Sequence, residues 1–105
     1  MQFEKIANRC YRATFVTDLL GTQKQIDWAS DIRATKVPAM IDELEQMAIR
    51  RGKTLDDMLA VADFGVTVGQ ALNFVAEKAS AKFWIDNRAA GTIQLLRNAV
   101  SEINA

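Results

Sequence analysis

The chain has no histidine and a single cysteine, Cys10, in 105 residues. Without histidine and with one thiol, the common zinc sites and the Cys/His and Ser/His nucleophile pairs cannot be assembled, and no intrachain disulfide can form. Charge of one sign is also missing. Thirteen Lys and Arg stand against thirteen Asp and Glu, so no global field draws the chain to nucleic acid or an anionic membrane. No apolar run approaches the ~18 residues of a membrane-crossing helix. The opening Met1-Gln2-Phe3-Glu4-Lys5 is too polar for an export signal. A cytoplasmic location without membrane contact is the expectation. Proline occurs once, at Pro38, and only five glycines occur, too few for a Pro/Gly-rich linker, so residues 1–105 read as one domain.

What is present is half apolar and one quarter charged, the profile of a chain that buries a core. Its periodicity predicts helices. Phe3, Ile6, Ala7 and Cys10 fall three to four apart and predict a helix over 2–14, although Tyr11 to Thr17 is rich enough in β-branched and aromatic residues to be extended. Thr22 with Gln25 has the form of a capping box and starts a helix. Trp28 and Ile32 share one face of it, whereas Met40, Ile41, Leu44 and Met47 form a stripe rotated away. Pro38, which lacks an amide donor, accounts for that rotation if the chain breaks there into helices 22–34 and 38–51. Gly52 closes the second of these. The acids of Asp42-Glu43-Leu44-Glu45 and the bases of Arg50-Arg51-Gly52-Lys53 suit that helix's dipole, the alternative being a basic docking knuckle. Thr54 with Asp57, Thr67 with Gln70 and Ser80 mark further starts. Val66-Thr67-Val68 can instead be briefly extended, and Gly91 and Thr92 precede a last helix with Ile93, Leu96, Val100 and Ile103 on one face. The expected fold is all-α: a bundle of five to seven short helices.

Two segments stand out chemically. Lys24 to Arg33 places Lys24, Gln25, Trp28, Ile32 and Arg33 together, and Phe83 to Arg88 places Trp84 beside Asp86 and Arg88. Both tryptophans of the chain lie here. They serve either as core anchors, with arginine–carboxylate pairs at the rim, or as a Trp/Arg surface of the kind that dominates binding interfaces. The spacing predicts that the two segments touch, with both tryptophans buried and Arg33 and Arg88 donating to Asp86, Asp27 or Asp31. The carboxylate pairs Asp27/Asp31 and Asp42/Glu45 have no histidine to complete a di-metal site and no phosphate loop or nucleophile elbow beside them. Neither a cofactor nor catalysis is expected.

Gly21 to Arg33 resembles a Gly-Ser/Thr-x-Lys-Gln-x-x-Trp-Ala-x-x-Ile-Arg segment of small bacterial, phage and mobile-element proteins. Trp84-Ile85-Asp86-Asn87-Arg88 resembles the Trp-Ile-Asp-x-Arg segment those proteins carry nearer the carboxyl end. The resemblance leaves the first twenty residues uncovered. It implies a phage or mobile-element setting, in which interaction with a host complex is the natural role. The missing catalytic and metal-binding residues, with ample apolar and aromatic content, make the leading expectation a helical protein that binds another protein, self-association included. The alternative is a helical nucleic-acid-binding module, whose basic face would be Lys5, Arg9 and Arg12 on the first helix.

Overall fold

A computed structural model describes all 105 residues. The first segment is not a helix. Strands β1 (Gln2–Ala7) and β2 (Cys10–Thr14) pair antiparallel with Phe3 opposite Ala13 and Lys5 opposite Tyr11. The period that governs here is two. Phe3, Tyr11, Ala13 and Phe15 point to the protein while Gln2, Glu4, Arg12 and Thr14 point to water, and Ile6 and Cys10, which completed the helical spacing, are exposed. Arg9 makes the tight turn at a positive φ of 57°.

The hairpin lies on helix α1 (Gln23–Arg50), one uninterrupted element of 28 residues rather than two. Ala29, Arg33, Val37, Met40, Ile41, Leu44 and Ala48 form a continuous buried stripe along it. Packing along that stripe holds the helix through Pro38, although proline leaves the carbonyl four residues earlier without its amide partner. The ends follow local rules. Thr22 and Gln25 form a reciprocal capping box, and Gly52 (φ 67°) stands just beyond a terminus where Lys53 and Gly52 amides return to the Ala48 and Ile49 carbonyls, a Schellman closure.

After α1 come α2 (Leu55–Ala60), strands β3 (Ala62–Asp63) and β4 (Val66–Thr67), α3 (Val68–Ala76), α4 (Ala81–Asp86) and α5 (Thr92–Ile103). The fold is therefore helix-rich but not the expected all-α bundle, because two small antiparallel sheets accompany the five helices. Val66-Thr67 is extended, and Thr67 then caps α3 with Gln70. Thr54 caps α2 with Asp57, and the Ser80 hydroxyl accepts from the Phe83 amide. One apolar cluster runs from Tyr11 through α1 to α5, with Trp84, Met40, Ile41, Leu44 and Leu72 among its largest fully buried members. The loop before α1 is tied to the start of α4, where the Leu20 amide donates to Ala79 O and the Ala81 amide to Leu20 O.

Charged side chains fix the hairpin on α1. Lys5 Nζ and Tyr11 Oη both donate to Glu45, at 2.9 and 2.6 Å, and Arg9 pairs with Asp42 at 3.1 Å. Arg12 pairs with Glu4 across the hairpin. Burial first, then the Glu45 hydrogen bond and charge, push the Tyr11 phenol up; the same bonds from Tyr11 and Lys5 hold the Glu45 carboxyl below its ordinary value. The basic face expected on a first helix is thus absent, and each of its three cations is bound to a carboxylate.

Candidate functional site

The Thr22 cap sets where α1 begins and therefore which way its first turns face. Gln25 is spent on that cap, its Oε1 accepting from the Thr22 amide at 3.0 Å. Once Ala29 and Arg33 turn inward, Trp28, Ile32, Thr35, Lys36 and Ala39 share the neighbouring face, as i, i+4 and i+7 spacing requires. Trp28 is 50% exposed.

Arg88 joins it from the turn after α4. Its guanidinium carbon stands 5.2 Å from the centre of the Trp28 ring, within the range of a cation–π contact. Nη1 donates to Ile85 O at 2.5 Å, which leaves Nε and Nη2 without a protein partner. Lys36 closes the arrangement by donating to the carbonyls of Arg88 at 3.2 Å and Ala90 at 2.6 Å. Those bonds fix the turn that carries Arg88. The result is an open groove of about 560 Å³ with Trp28, Ile32 and Ala39 as its apolar surface and Asp31, Lys36 and Arg88 at its rim.

The remaining singled-out residues lie elsewhere. Trp84 is 0% exposed, meets Phe83 edge-on at 5.2 Å and donates through Nε1 to Lys78 O at 2.9 Å. Asp86 pairs with Lys82, one helical turn away, at 3.3 Å. Lys24 is exposed and makes no ion pair. Arg33 is only 3% exposed: it donates to Thr17 O at 3.0 Å and to Glu77 at 3.4 Å, with its guanidinium carbon 3.9 Å from the Phe15 ring centre. Burial pulls the Arg33 pKa down, against the Glu77 and Asp18 charges. The expected contact between the two segments forms through Trp28 and Arg88, but with Trp28 half-exposed and with neither arginine on Asp27, Asp31 or Asp86.

Sequence reasoning passed over Lys36, although continuing the Trp28–Ile32 spacing by four reaches it. It also passed over Glu77, which gathers the Met1 ammonium, the Val16 and Thr17 amides, the Thr17 hydroxyl and Arg33. Burial opposes ionisation of this carboxyl, but those donors outweigh it and hold its pKa at about 2. That cluster locks the end of the hairpin to α3. Asp42 and Glu45 are likewise engaged by the hairpin, and no three carboxylates or thiols converge in metal-binding geometry. No helix is long and apolar enough to cross a membrane.

No family model, curated protein or solved structure matches this chain.

Proposed function

We propose that the chain works by binding a protein partner through the Trp28–Arg88 groove. The observation that carries this reading is the half-exposed Trp28 beneath the guanidinium of Arg88. A tryptophan left in water forfeits much of the stabilisation that burial gives it, and tryptophan with arginine on a polar-rimmed concave surface is the composition of binding hot spots. Arg88 keeps two nitrogens for a partner carboxylate, and Trp28 with Ile32 offers area for an apolar side chain beside it. A host complex is the partner class suggested by the motif resemblance. The proposed role is binding rather than catalysis: of the two carboxylate pairs, Asp42 and Glu45 are engaged by Arg9, Lys5 and Tyr11, and Asp27 accepts from Gln23. The nucleic-acid reading loses the basic helix that motivated it.

The test is photo-crosslinking in cells, with the reactive amino acid at Thr35 in the groove or at exposed Gln94 on α5. A discrete protein adduct from position 35, absent from position 94 and abolished by Arg88→Ala, is expected. Equal labelling from both positions, labelling unaffected by Arg88→Ala, or adducts to nucleic acid alone would overturn the proposal.

A further inference from the structure

A second surface, formed by different elements, points to the chain's own copy. Phe64 and Gly65 are the two residues linking β3 and β4, and both adopt positive φ, 51° and 77°, the pattern of a tight hairpin turn that favours Asn or Gly. Phenylalanine is a poor choice there, and its ring is 82% exposed. The turn is nevertheless held in place, because Asn104 Nδ2 donates to Phe64 O at 3.2 Å and so fixes the hairpin tip against the end of α5. Beside the tip opens a cleft of about 150 Å³ between α1, α2, the hairpin and α5, lined by Leu44, Met58, Val66, Leu96 and Val100. A space of that size accepts one benzene-sized ring.

We propose that Phe64 inserts into this cleft of a second copy, the two copies being related by a twofold axis beside the hairpin tips. Asp63 and Arg97 argue for a copy of this chain rather than another apolar occupant. They line both the cleft and the groove beneath Phe64, carry opposite charges, and neither forms an ion pair within the chain. A twofold contact is self-complementary. With Phe64 seated in the opposite cleft, each Asp63 comes against the other copy's Arg97, so one apolar contact and one ion pair form twice.

Sedimentation of the full chain between about 1 and 300 µM tests this. Reversible association to a dimer is expected, weakened at least ~10-fold by Phe64→Asn, which removes the ring while suiting the positive φ. Asp63→Arg and Arg97→Asp should each weaken the dimer, and the double reversal should restore it to within a few-fold of the parent. Circular dichroism confirms that each variant is folded, as expected for exposed positions. A chain that stays monomeric throughout, a dimer indifferent to Phe64→Asn, or a double reversal no better than the single ones would overturn the proposal.

Discussion

Trp28 and Trp84 each stand a helical turn or so ahead of an arginine, and the fold divides the two pairs crosswise. From the first segment Arg33 goes inside and Trp28 stays out; from the second Trp84 goes inside and Arg88 stays out. The outer members then meet each other. Hydrophobicity alone accounts for the second pair but not for the first, where helix phase, set by the Thr22 cap and the stripe from Ala29 to Ala48, outranks the preference of the single side chain. The buried Arg33 is held by Nη2, which donates to Thr17 O and Glu77, and by the Phe15 ring over its guanidinium, while its Nε is left without a partner.

The sharpest test of this division is Trp84→Ala. It removes a fully buried ring and a hydrogen bond, so the loss should be about 3–5 kcal/mol and the Tm should fall by roughly 15 °C or more. A smaller fall would mean that the interior contact is looser than its burial indicates.

Glu77 supplies the next largest effect on the inner side. Its carboxyl is held at about 2 in the fold against an ordinary 4.5, a difference on the order of 3 kcal/mol. Because the folded value is the lower one, that stabilisation is complete above about pH 4.5 and is lost as the pH falls toward 2. Glu77→Gln should cost about 2–3 kcal/mol near neutral pH and flatten that acid limb, which urea unfolding at stepped pH measures.

Pro38 probes the stripe that sets the phase. The helix runs through it, so Pro38→Ala restores a backbone donor at an intact site and should stabilise the chain by about 1–3 kcal/mol in thermal unfolding. A destabilised Pro38→Ala protein would show that the proline shapes α1 in a way the stripe depends on.

Local chemistry was legible where it was self-contained. The Thr22, Thr54 and Thr67 boxes, the Ser80 cap and the Gly52 terminus each need only residues within one turn, and all five form. The failures are long-range. The first hairpin rests on long-range partners, the core that takes Tyr11 and the Glu45 and Asp42 that α1 supplies from more than thirty residues away, and the helical spacing from Phe3 to Cys10 is a coincidence of residues that end up mostly in water. The amino-terminal part of the buried stripe was hidden for a related reason: Ala29 is small and Arg33 charged, so neither marks a core face until Phe15 and Glu77 are brought to Arg33. Of the candidate site, Trp28 and Arg88 were visible as residues, but only the turn held by Lys36 joins them.

On the outer side, Arg88→Ala should change stability by no more than about 0.5 kcal/mol, the usual range for an exposed side chain, while removing the crosslink formed from position 35.

The central claim, that one tryptophan holds the fold and the other is kept free to bind, is tested most directly by melting and crosslinking Trp28→Ala and Trp84→Ala side by side. Trp28→Ala is expected to melt within a few degrees of the parent and to lose the position-35 adduct, with Trp84→Ala melting far lower. A Trp28→Ala protein that melts as low as Trp84→Ala, or one that keeps the adduct at full yield, would contradict the account.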